Sequence, residues 1–165
     1  MKINSIILSW DFFLALTLSI FVFCILPDQK SISLATSVYG VGISVLSIVF
    51  SIFFAALAII ISSGDNEFIQ FLELEKNIYT NIIATFIFTI GTLFGALLLS
   101  LALYFYTNTF PDEAVAFQSK LIPIFIFFFL YSLLAAAISI FDSIRYAEYR
   151  TKFIQKLEKR KIQSS

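Results

Sequence analysis

The sequence predicts an all-α integral membrane protein, with four transmembrane helices followed by a helical extension into the cytoplasm. Three observations predict it. The chain is 59% apolar and 13% charged, with a mean hydropathy of +0.94, so it has too few polar side chains to coat a water-soluble globule of this length. Four apolar stretches are each long enough to cross about 30 Å of hydrocarbon, which takes roughly 20 helical residues. Beyond the last of them the chain turns polar and basic.

The first stretch covers residues 6–26 and stops at Pro27-Asp28, a pair that ends helices. The second covers 34–62, inside the uncharged segment from Ser31 to Gly64. The third covers 82–106 and closes in Tyr104-Phe105-Tyr106, an aromatic belt of the kind found at membrane boundaries. The fourth covers 121–141 and carries Pro123 in its first turn, where a missing N–H costs little. Between the last two, Thr107 to Lys120 with Pro111-Asp112-Glu113 reads as an exposed turn. The transmembrane domain is thus 1–141, and 142–165 is the tail. Lys2 ahead of an apolar run is also a signal-peptide pattern, but no small-x-small cleavage site precedes Pro27. Phe23 before Cys24 lacks the small residue of a lipoprotein site.

Lys and Arg are retained on the cytoplasmic side of a membrane, so their distribution sets orientation. With both termini cytoplasmic, the inner side holds nine: Lys2, Lys76, Arg145, Arg150, Lys152, Lys156, Lys159, Arg160 and Lys161. The outer side holds two, Lys30 and Lys120.

The chain has no His and one Cys, so zinc, iron–sulfur, haem and Cys/His nucleophile chemistry lack their ligands or bases. No metal, cofactor or catalytic residue is expected. Cys24, inside an apolar run, reads as a small buried hydrophobe.

Small residues are the informative signal within the spans, because lipid supplies no hydrophobic drive between helices and close packing must replace it. In the second span Gly40, Ser44, Ser47, Ser51, Ala55, Ala58 and Ser62 recur every three or four residues along one side. The third span carries Gly91-Thr92-Leu93-Phe94-Gly95, a GxxxG, with Ala84 and Ala102 near the same face. These stripes suit packing within one subunit, packing between subunits, or the lining of a central pore. Four helices enclose only their own side chains, so a conducting path needs copies around an axis. Ser44, Ser47, Ser51 and Ser62 are its candidate lining, since they offer hydroxyls without a fixed charge.

Asp11 is an ionisable residue about one turn below the cytoplasmic surface, which makes it a gating candidate, with Arg145 as a possible ionic partner. Alternatively, Trp10 anchors the interface and Asp11 sits wet among headgroups beside Lys2. The link after the second span starts Gly64-Asp65-Asn66-Glu67, where Asp65 or Asn66 caps a short helix with Phe68, Phe71 and Leu72 on one side. Its Glu67, Glu73 and Glu75 suit either a solvated connector or a partner for a neighbour's basic tail.

No Gly or Pro interrupts Phe141-Asp142-Ser143-Ile144-Arg145, so the fourth helix should continue. At 100° per residue Arg145, Lys152, Lys156 and Lys159 share one sector, beside Tyr146, Tyr149, Phe153, Ile154 and Leu157. Three readings stay open: a helix lying on anionic lipid, a bundle of tails presenting a ring of charge, or a docking surface for a protein. The bundle predicts binding of a nucleotide or short oligonucleotide through Arg145, Tyr149, Lys152, Lys156 and Lys159, because cations neutralise phosphates and tyrosine faces stack bases.

The whole pattern resembles the small four-helix membrane subunits of bacterial anti-phage defence systems of the Hailong and Kiwa types and of some cyclic-nucleotide-signalling defence operons. The resemblance rests on Trp10-Asp11 in a short first helix, the Gly/Ser-rich second helix, the Gly64-Asp65-Asn66-Glu67-Phe68 link and the basic helix from Arg145. It implies a homo-oligomer, tetrameric by preference, in the bacterial inner membrane. Its pore disrupts that membrane when a nucleotide signal releases it. The other role implied is a non-conducting sensor or anchor that recruits a cytoplasmic defence protein from the same operon. A transporter is disfavoured by the lack of an inverted repeat, a broken helix pair or a mid-bilayer charge. The spans contain no catalytic pair.

Overall fold

The computed structural model describes residues 10–25, 32–62, 64–74 and 78–164, and nearly all of them are helical. Five helices occur among them: α1 Trp10–Ile25, α2 Ile32–Ser62, α3 Asn66–Leu74, α4 Ile78–Thr109 and α5 Pro111–Ser164. Three are long and apolar enough to cross a membrane: α2, α4 and the part of α5 within Lys120–Arg160. The described part of α1 has 16 residues, about 24 Å of rise, and is shorter than a hydrocarbon core.

α2 and α4 pack along their lengths, α5 lies against both, and α1 leans on α5. The outer surface keeps Ile59, Phe54, Phe105 and Phe21 more than 60% exposed. That continuous apolar surface is unsuited to water and is the surface a lipid-facing bundle presents.

Packing inside is close and partly polar. At the end of the bundle near Phe110, the Tyr39 ring meets Phe125 edge-on at 5.2 Å, and the Ser100 hydroxyl donates to the Tyr39 carbonyl at 2.8 Å. Gly42 makes this possible, since a Cβ there would stand 2.3 Å from Phe125 Cζ and 3.0 Å from Ser100 Oγ. Farther along, Thr89 and Ser139 hydroxyls pair at 2.7 Å. Ser139 gives its own proton to the Ala135 carbonyl, so Thr89 is the donor to Ser139. Ser19 donates to the carbonyl of Pro123 at 2.7 Å and ties α1 to α5.

Three expectations are corrected. The segment from Thr107 to Lys120 is not a loop, because α4 runs to Thr109 and α5 starts at Pro111. The signals for this were present: Pro at a first helical position followed by Asp112 and Glu113, which suit the positive end of a helix dipole. Pro123 therefore lies inside α5 rather than in its first turn. Cys24 is exposed on the bundle surface rather than buried.

α5 is the longest element. Its 54 residues rise about 81 Å, so it extends well beyond the thickness of a hydrocarbon core.

Candidate functional site

The candidate site lies where α5 leaves the apolar part of the bundle and meets α3. Asp65 accepts the Ile69 N–H on its carbonyl at 2.9 Å and opens α3. Phe68 and Leu72 on one side of α3 are buried. Phe68 sits between Tyr146 and Phe153 of α5, with ring centroids 5.5 and 5.3 Å away, and Phe71 also meets Phe153. The Tyr146 hydroxyl reaches the Ile60 carbonyl of α2 at 3.4 Å. Glu73 accepts both the N–H and the hydroxyl of Thr80, capping the first turn of α4. The aromatic side of the tail's first turns is thus covered by the chain's own α3. It is not free to lie on lipid.

This packing leaves two grooves. The outer one, about 340 Å³, is lined by Glu67, Gln70 and Phe71 of α3 and by Phe153, Lys156, Leu157 and Arg160 of α5. Lys156 Nζ stands over the Phe71 ring at 5.4 Å. The boundary groove, about 330 Å³, lies between Ile78, Asn81, Ile82 and Thr85 of α4 and Asp142, Arg145 and Tyr149 of α5. Arg145 Nη1 is 3.7 Å from Asp142 Oδ1.

The tail residues expected to act together are therefore divided. Arg145 and Tyr149 belong to the boundary groove and Lys156 to the outer one. Lys152 extends over Tyr149 at 5.5 Å, and Lys159 is exposed. Arg160, Gln70 and Asn81 were not expected as lining residues, because contacts between helices distant in sequence leave no local pattern. Glu67 faces the tail of its own chain.

The small-residue stripes point outward. Ser44, Ser51, Ala55 and Ala58 are exposed, with Gly40 and Ser47 half-buried at the margin. At 100° per residue they lie about half a turn from Ala35, Leu46, Phe53 and Ile60, the buried side of α2. Each serine hydroxyl is satisfied by its own helix: Ser44 on Gly40, Ser47 on Ser44, Ser51 on Ser47. Among the described residues, a Cβ added at Gly91 or Gly95 meets no atom within 4 Å. Among the same residues, packing within the subunit reaches these stripes only at their margin, where Gly40 faces Tyr104. Gly42, which that packing does explain, was not singled out.

Asp11 lies in the first turn of α1, and its side chain falls outside the described residues. The next residue, Phe12, contacts Phe127 and Tyr131 edge-on, and Tyr131 is the middle of the 121–141 run. The ionic partner of Arg145 seen here is Asp142.

Among the described residues no group of three His, Cys, Asp or Glu is arranged to hold a metal ion. The fold is an all-helical bundle with three helices long and apolar enough to cross a membrane, and with a polar, aromatic-lined extension at one end. No protein-family model, curated protein or solved structure matches the chain.

Proposed function

We propose that the chain is a pore-forming effector subunit that assembles as a homo-oligomer, a tetramer by preference, and is gated by an anionic ligand at its α5 extension. The observation that carries this reading is the continuity of α5. One helix joins the apolar bundle to the basic surface at Lys156 and Arg160, and it is fixed to α2 and α3 through Tyr146, Phe68 and Phe153. A ligand that neutralises charge there acts on a lever attached to the spans. The outward stripes support assembly, since small residues let helices of separate copies approach closely.

In this reading 6–26 makes a fourth crossing and the bias of Lys and Arg keeps both termini in the cytoplasm. The ligand is a nucleotide or short oligonucleotide, held by Lys152, Lys156, Lys159 and Arg160 with Phe71 and Phe153 as stacking faces. The setting, by resemblance, is anti-phage defence at the bacterial inner membrane.

The test is conductance of the purified chain in planar bilayers. The wild type gives unitary currents, and leucine at Ser44, Ser51 and Ala58 together abolishes them. Currents retained in that triple variant overturn the lining assignment. Glutamine at Lys152, Lys156, Lys159 and Arg160 weakens nucleotide binding and flattens its salt dependence. One observation favours the alternative, a non-conducting sensor or anchor for a cytoplasmic effector. Ile154 and Ile162 are exposed on the extension, 49% and 76%, as on a docking surface. Absence of both current and toxicity on expression decides for that reading.

A further inference from the structure

The boundary groove has a defined level. Ile82 opens the apolar run of α4 and Phe141 closes that of α5. The groove spans this border, with Ile82 and Thr85 on its apolar side and Asn81, Asp142, Arg145 and Tyr149 on its polar side. If α4 and α5 cross a bilayer, this is headgroup depth. Among the described lining residues the charged ones are Asp142 and Arg145, 3.7 Å apart, with the Asp142 side chain 22% and the Arg145 side chain 71% exposed, and Lys152 stands beside them over the Tyr149 ring.

We infer that this groove holds the phosphoethanolamine headgroup of a membrane lipid, with Arg145 on the phosphate, Asp142 on the ammonium and the acyl chains running down the apolar side. Arginine matches phosphate oxygens through its planar fork. Asp142 is partly withdrawn from water, and a donor ammonium replaces the lost hydration. A headgroup of net negative charge puts its second anionic or hydroxyl group against Asp142. A choline headgroup brings a quaternary nitrogen with no N–H to donate. Asn81 and Tyr149 offer further polar contacts within the same groove, whose volume lies in the range of small-ligand sites. The inference rests on α4 and α5 crossing a bilayer but not on the pore. It separates Arg145 from the outer cations Lys156 and Arg160.

Native mass spectrometry of the full chain in detergent tests it, by titration with phosphatidylethanolamine, phosphatidylcholine and phosphatidylglycerol of identical acyl chains. Phosphatidylethanolamine binds about tenfold more tightly than phosphatidylcholine, the worth of roughly one charge-assisted hydrogen bond. Asp142→Asn removes that preference, and Arg145→Gln weakens both lipids. Equal affinity for the two lipids, tighter binding of phosphatidylglycerol, or a preference that survives Asp142→Asn overturns the assignment. So does displacement of the lipid by soluble phosphoethanolamine at equal concentration. If Asp142→Asn does not fold, the wild-type comparison still decides. Resistance of the chain to alkaline extraction from membranes is measured in parallel. A chain that stays membrane-embedded but shows no headgroup preference rejects the groove while leaving the membrane reading intact.

Discussion

Gly42 and the Gly91–Gly95 pair are both small residues on long apolar helices, yet their surroundings are opposite. At Gly42 an added methyl collides with the buried ring of Phe125, whereas at Gly91 and Gly95 it meets empty space. One glycine is required by the subunit's own interior, and the other two are indifferent to it. In a membrane, where apolar side chains gain nothing by leaving lipid for protein, tight packing at Gly42 is a direct source of stability. The surface at Gly91 and Gly95 takes no part in the packing of the described residues.

Substitutions can break this comparison. Gly42→Leu should have the largest effect, destabilising the subunit by about 3 kcal/mol or preventing folding, as read by thermal unfolding in detergent. A variant as stable as wild type contradicts the Phe125 contact. Ser100→Ala removes one interhelical hydrogen bond beside Gly42 and should cost about 0.6 kcal/mol, visible as a small drop in the same midpoint. The Gly91→Leu, Gly95→Leu double variant should leave the isolated subunit within about 0.5 kcal/mol of wild type. If assembly uses this face, its oligomer dissociates in size-exclusion chromatography with light scattering while the subunit stays folded. A large loss of subunit stability would instead place Gly91 and Gly95 inside the fold.

Much of the architecture was legible in the sequence because apolar run length is a strong signal. The extent of α2 and the existence of α4 follow from it, whereas α3 was read from its capping residues and the continuation of the last helix past Phe141 from the lack of Gly or Pro there. The Phe68, Phe71 and Leu72 face of α3 was also legible, since amphipathic spacing is local. Its partner was not, because the meeting of Phe68 with Tyr146 and Phe153 depends on a return of the chain over some eighty residues. The same limit hid Gly42, which sits among residues as apolar as those around Gly40. It also hid the division of the tail cations between two grooves, because a helical wheel groups Arg145 with Lys156 without registering which neighbour each one faces.

Because α5 has no break between Pro111 and Ser164, its two ends share an angular register. One residue added beyond Leu157 turns everything after it by about 100° and advances it by about 1.5 Å, while the span and its aromatic clamp keep their places. The extension thus behaves as a shaft whose outer half can be rotated by whole-residue steps without loosening its bearing, and the orientation of its terminal charges is a quantity that insertions can dial.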